Sequence, residues 1–104
     1  MDPERIEALI DAGRDDATAR LAAGQAWLGA GQPGRAVAHL RRAVELAPEL
    51  SAGWQWLGKA CLDSGDTAGA RTAWERGIEV AASRGDRQAQ RVMQVWLRRL
   101  DRAG

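Results

Sequence analysis

A 34-residue internal period constrains this chain more than any other feature. Gly58, Ala60, Leu62, Gly65 and Ala70 return 34 positions earlier as Gly24, Ala26, Leu28, Gly31 and Ala36. Bulkier apolar sites hold the register without keeping identity: Cys61 answers to Trp27, Trp74 to Leu40 and Ile78 to Val44. Such a period marks stacked supersecondary units, none of which can bury its apolar face alone. The kind of work expected of a stack is binding.

Local signals divide each unit into two helices. Asp2 caps a first short helix with Pro3 at its start and Ile6, Leu9 and Ile10 on one stripe, ended by Gly13. Asp15 or Asp16 caps a second helix reaching about Ala30, where Gly31-Gln32-Pro33-Gly34 turns the chain into a third, from about Gly34 to Ala47. Pro48 ends that helix, because proline cannot continue the backbone ladder. Ser51 is the expected cap of a fourth helix, which runs to about Ser64. Asp66 or Thr67 caps a fifth that reaches about Ser83, and Arg84-Gly85-Asp86 breaks the chain before a sixth. Every connection is short, so successive helices must be antiparallel neighbours.

On the fourth helix Trp54, Leu57, Gly58 and Cys61 follow helical spacing and share the face expected to meet the fifth. A mid-helix glycine costs about 1 kcal/mol against alanine, so the matched pair Gly24 and Gly58 requires a packing reason. Close approach supplies one: without a Cβ, Leu40 or Trp74 can reach the backbone, and Ala36 and Ala70 suit the same crossing. On the sixth helix Ala89, Val92, Met93, Trp96, Leu97 and Leu100 form one stripe, the pattern of an end cap.

At 104 residues the chain is long enough for one core, and nothing divides residues 1–104 into separate domains. Phe and Tyr are absent, so five tryptophans carry all the aromatic volume. The lone Cys61 excludes an internal disulfide and any multi-cysteine metal site, and fits a reducing compartment. No apolar stretch approaches a membrane span, and Met1-Asp2-Pro3-Glu4 is the reverse of a secretory start, so the expected location is cytoplasmic.

The pattern Trp54-x2-Leu57-Gly58, then Ala70, then a bulky residue four later at Trp74, resembles the tetratricopeptide repeat. Gly24, Trp27, Ala36, Leu40, Ala43 and Pro48 carry the pattern in the preceding unit. The departures are Arg20 and Ala23 for Trp and Leu, Cys61 for an aromatic, Gly77 for alanine and Ala82 for the closing proline. The resemblance implies an all-α solenoid of antiparallel helix pairs, about six helices in all. It divides the chain into a partial cap at 1–14, repeats at 17–50 and 51–84, and a capping helix at 85–104.

The resemblance also implies a concave groove, lined by the first helix of each unit, that binds a peptide segment or a helix of a partner protein. Shifting by 34 places Leu21, Gln25 and Leu28 of the second helix, Gln55, Trp56, Lys59, Leu62 and Asp63 of the fourth, and Met93 of the sixth on that face. Gln25, Gln55 and Lys59 would bond a peptide backbone or carboxylate, and the apolar members would hold side chains. Trp56 either contacts a ligand or packs under the preceding helix, and Trp96 and Met93 either close the groove or form a lid. With Lys59 as the groove's one lysine, the paired lysine and asparagine clamp that some relatives use for a C-terminal carboxylate is not reproduced.

Other functions find little support. No nucleophile has a base nearby in sequence, there is no P-loop, and Gly29-x-Gly31-x2-Gly34 follows a helix and includes the repeat turn, so it is not a phosphate loop. The chain is therefore expected to be no enzyme and to need no cofactor or metal. His39 is expected at the surface, and Cys61 in the core. Net charge is +1, too little to indicate nucleic acid, but its distribution is uneven. Residues 1–16 hold six acids and two arginines, while residues 84–104 hold six arginines and two acids. The alternative reading is thus a scaffold element that self-assembles weakly through oppositely charged ends. A monomer with solvated ends is the plain alternative to it.

Overall fold

The computed structural model describes residues 2–103; Met1, part of the acidic opening, and Gly104 lie outside the described residues. Six helices follow one another: α1 Pro3–Asp11, α2 Ala17–Gly29, α3 Pro33–Leu46, α4 Ser51–Asp63, α5 Thr67–Arg84 and α6 Arg87–Ala103. The described residues contain no strand. Asp2 and Asp16 cap α1 and α2 by accepting the Glu4 and Ala19 backbone N–H groups at 3.0 and 2.7 Å, and Asp66, not Thr67, caps α5 through Gly69 at 2.8 Å. The repeated glycines Gly31 and Gly65 both adopt left-handed backbone, with φ of 74° and 90°. Behind them the Gln32 and Asp66 N–H groups reach back to the Trp27 and Cys61 carbonyls at 2.9 and 2.8 Å, so both units turn the same way.

The first helices of the units, α2, α4 and α6, touch in succession and form one layer; α3 packs across α2 and α4, and α5 across α4 and α6. The result is a short solenoid of 41 × 28 × 19 Å. The glycines perform the role expected of them. A Cβ on Gly24 would overlap the Leu40 isobutyl group, and one on Gly58 would overlap the Trp74 indole. Leu40, Trp74, Ala36 and Ala70 are accordingly buried, at 1 % exposure or less.

Four expectations are corrected by the packing. Ser51 is the first residue of α4 and does not cap it; its buried hydroxyl donates to Asp86 at 2.7 Å, tying the start of α4 to the start of α6. Leu9 does not join Ile6 and Ile10 in the interior but stands 46 % exposed, on the side of α1 turned away from α2. Trp54 is only half-buried: its Cβ lies against Gly77, while its indole N–H donates to the Pro48 carbonyl at 2.8 Å near the surface. His39 is no surface residue, since its side chain is 13 % exposed between Glu7 and Arg20.

The departures from the repeat pattern have visible consequences. With Ala82 in place of a proline, α5 runs 18 residues against 14 for α3, and stops only where Gly85 takes left-handed backbone at φ 72°. α4 begins 34 residues after α2, but α6 begins 36 after α4. The period therefore slips by two at the last helix. Met93 is the counterpart of Leu57, not of Lys59. It is fully buried, with its sulfur over Gly77, where an alanine Cβ would collide with it.

Candidate functional site

The α4–α6 seam holds a largely apolar opening. Lys59 and Leu62 of α4 face Trp96, Arg99, Leu100 and Ala103 of α6 across a hollow of about 350 Å³, with Trp74 of α5 as its floor. Its position follows from Gly58 of α4. Gly58 lets Trp74 lie against the α4 backbone, where the indole N–H donates to the Gln55 carbonyl at 3.1 Å. Trp96 then stacks on Trp74 with ring centroids 5.3 Å apart and planes tilted by 53°, an ordinary aromatic pairing that fixes both rings. The hollow is thus a preformed apolar slot, with a polar group at each lip.

The charges around it are unbalanced. Lys59 is held by Asp63 at 3.0 Å, on the exposed side of α4. Arg99 and the other four arginines of α6, at 87, 91, 98 and 102, have no ion-pair partner among the described residues, because Asp101 is taken by Arg71 of α5. Further toward the start of the two helices, Ala52 and Gln55 face Asp86, Gln88, Ala89 and Val92 across a smaller hollow of about 210 Å³. Asp86 there accepts both the Ser51 hydroxyl and the Ala89 N–H, and these bonds, Ser51's first, hold its carboxyl below the usual aspartate range.

The nine expected groove residues are not gathered into one site. Lys59 and Leu62 share the larger hollow, Asp63 is bonded to Lys59 without lining it, and Gln55 lines the smaller one. Gln25 lies apart on α2, beside Ala22, Ala26, Gly29 and Ala30 around an open depression of about 370 Å³. Leu21, Leu28 and Trp56 are half-buried against the main core, so each contributes to packing and still shows an edge. Met93 is removed from the set, for a fully buried side chain under Gly77 touches no ligand. Trp74, Arg99, Leu100 and Ala103 are additions. Trp74 was legible only as a core residue, and the other three stand on a helix displaced two places from the period.

A second polar cluster sits at the other end of the molecule. Glu7 of α1 accepts the indole N–H of Trp27 and, at 3.2 Å, the Nε2–H of His39, while Arg20 donates to His39 Nδ1 at 3.2 Å and grips Asp15 at 2.7 Å. Because a guanidinium can only donate, Nδ1 is the accepting nitrogen of His39 and Nε2 the one that faces Glu7. Burial works to raise the Glu7 carboxyl, but the bonds from His39 and Trp27 outweigh it and hold Glu7 below its ordinary value. Arg35 lies 4.7 Å over the Trp27 ring and closes the cluster. Glu7 Oε1 takes both bonds, and they tie α1 to Trp27 of α2 and His39 of α3. Among the described residues, no group of three His, Cys, Asp or Glu side chains is placed to hold a metal ion, and no helix is long and apolar enough to cross a membrane.

Comparison with known proteins agrees with this architecture. Residues 4–51 and 28–87 each match the family model of the tetratricopeptide repeat. A TPR repeat-containing protein of Pseudomonas aeruginosa is 50% identical over 100 residues, covering 96% of this chain and 95% of that protein. The solution structure of a Bordetella parapertussis protein superposes with a TM-score of 0.82 at 44% identity, over 97% of this chain and 88% of that one. The crystal structure of the Sgt2 TPR domain from Aspergillus fumigatus shares the fold, with a TM-score of 0.73 at 21% identity, over 96% of this chain and 68% of that one. With a family model spanning most of its length and a relative half identical from end to end, this chain belongs to the tetratricopeptide repeat family.

Proposed function

We propose that this protein is a non-enzymatic binding module that takes a peptide segment or helix of a partner protein along the α4–α6 seam. Tetratricopeptide repeat proteins as a family are protein–protein interaction modules, which supports the general reading. The observation that carries the finer one is the larger hollow: an apolar slot floored by Trp74 and walled by Trp96, Leu62 and Leu100, with Lys59 and Arg99 at its lips. A slot of this size suits one bulky apolar side chain, and the flanking cations suit carboxylates beside it. Gln55 lines the adjoining hollow and would bond a peptide backbone that continues along the seam. We assign the protein to the cytoplasm, which its single buried, unpaired cysteine suits.

Selection of a displayed random peptide library tests this reading. Peptides retained by the wild type are expected to carry an aromatic or large aliphatic residue near acids and to lose binding to Leu62→Glu and to Lys59→Glu. Both changes fall at accessible positions, and a thermal melt of each variant verifies that it is folded. If selected peptides bind both variants as well as the wild type, the seam is not the binding site.

A further inference from the structure

The described residues open and close on single helices, α1 and α6, and each leaves something uncovered in this structure. At one end, α1 turns Ile6 and Ile10 toward α2 while Leu9 stands 46 % exposed, the most exposed large apolar side chain among the described residues. The same helix with its cap carries Asp2, Glu4, Glu7 and Asp11 against Arg5 alone. At the other end lies the hollow of Leu62, Trp74, Trp96 and Leu100, bordered by Lys59 and by a helix whose five arginines have no ion-pair partner among the described residues. Elsewhere the paired cations find acids close at hand, as in Arg20–Asp15, Arg42–Glu45 and Arg76–Glu79. Arg5, Arg14, Arg35 and Arg84 also have no ion-pair partner among the described residues, but no other helix carries five such arginines, so the uncompensated positive charge is densest on α6 and the acids are densest on α1.

We propose that the occupant of the α4–α6 hollow is α1 of a second copy of this chain, with Leu9 entering over Trp96 and Leu62 and acids of α1 meeting Lys59 and Arg99. This rests on the reading of the seam as a binding site and names what fills it. Glu7 is engaged by Trp27 and His39, which leaves Glu4 and Asp11 as the exposed acids within the helix. Arg5, a turn from Leu9, is the one unfavourable charge on that helix. Neither surface has to open, because Leu9 is exposed while α1 is docked and the hollow is present in the folded monomer. The two surfaces lie at opposite ends, so the contact is head to tail. Each copy gives one α1 and one hollow, and association continues along a row until a copy with a blocked end stops it.

Sedimentation velocity of the full chain at low and high salt tests this. The wild type is expected to associate with rising concentration at low salt, and the association is expected to fall away at high salt as the charges are screened. Leu9→Glu and Leu62→Glu should each sediment as monomers, with melting curves showing that both remain folded. Mixed together they should form a dimer and nothing larger, because one supplies an intact hollow and the other an intact α1. Arg99→Glu, at an exposed position, should weaken association without changing apolar surface. A wild type that stays monomeric at low salt overturns the proposal, and so does association that survives either leucine change or variants that fail to pair when mixed. Should library peptides need Leu62 while the wild type is monomeric, the seam remains a binding site and only the second copy is removed from it.

Discussion

The two end helices, α1 and α6, do the same job with different materials. α1 has nine residues and rests Ile6 and Ile10 on Ala23, with Ala19, Ala22 and Ala26 around it, in a small apolar cluster separate from the main core. Its remaining hold is polar, through Glu7. α6 has 17 residues and enters the main core directly through Ala89, Met93 and Leu100, with Trp96 stacked on Trp74. Apolar burial grows with contact area, whereas a hydrogen bond nets only about 0.5–1.5 kcal/mol after exchange with water. The contrast teaches that α6 is continuous with the cooperative unit, while α1 is an appendix that can open by itself.

Trp74→Ala should have the largest effect. The indole is 1 % exposed, fills the space above Gly58 and supports Trp96, so truncation is expected to cost about 3–5 kcal/mol and to release α6 along with it. Chemical denaturation gives the first quantity, and amide hydrogen exchange along α6 reports the second. A smaller loss with α6 still protected from hydrogen exchange would show that the C-terminal cap does not depend on the aromatic pair.

Next comes Gly58→Ala set against Gly24→Ala. Each gains about 1 kcal/mol of helix propensity and each introduces a methyl group into an occupied space. The neighbour of Gly58 is a rigid indole held by its bond to the Gln55 carbonyl, whereas Leu40 can change rotamer. Overpacking typically costs about 1–3 kcal/mol, so Gly58→Ala is expected to be net destabilising and Gly24→Ala less so. Equal midpoints for the two variants would mean that both units relax alike. Trp56→Ala should cost less than Trp74→Ala, because Trp56 is half-buried, and should preserve a cooperative melt. A loss as large as that of Trp74→Ala would place Trp56 wholly in the core.

The helices and the inter-helix contacts of the two full units were legible because each relies on short-range chemistry: caps, a proline stop, and glycines recurring at 34. The last helix was not legible in register, and the cause is specific. Ala82 does not stop α5, the helix runs on, and α6 arrives two positions late. Counting by the period then matched Met93 with Lys59, a groove position, when its neighbours make it the counterpart of Leu57. The same slip concealed Arg99 and Leu100 as walls of the hollow. His39 was misplaced for another reason: its partner Glu7 is 32 residues away on α1, and no local spacing reveals a contact made only by stacking.

The smallest effects, and the sharpest test of the contrast between the ends, come from acid titration of Glu7→Gln and Asp86→Asn. Both native carboxyls are held below their ordinary values, Glu7 by His39 and Trp27 against the opposing effect of burial, and Asp86 by the Ser51 hydroxyl and the Ala89 N–H. A depressed carboxyl contributes stability that is fully present above its unfolded value, here 4.5 for Glu7 and 3.8 for Asp86, and that is lost as pH falls through the folded value. Each variant should therefore be less stable than the wild type at neutral pH and converge with it only as pH falls below the folded values, which lie under 4.5 for Glu7 and under 3.8 for Asp86. The two should differ in where the loss is felt. Glu7 binds only the appended helix, so Glu7→Gln should raise amide exchange in residues 3–11 and leave the global melting point nearly unchanged. Asp86 joins the starts of α4 and α6, both within the main unit, so Asp86→Asn should lower the global melting point and raise exchange evenly along both helices. If Glu7→Gln lowers the global transition as much as Asp86→Asn, α1 is as integral as α6, and the distinction between an appended and a continuous cap is lost.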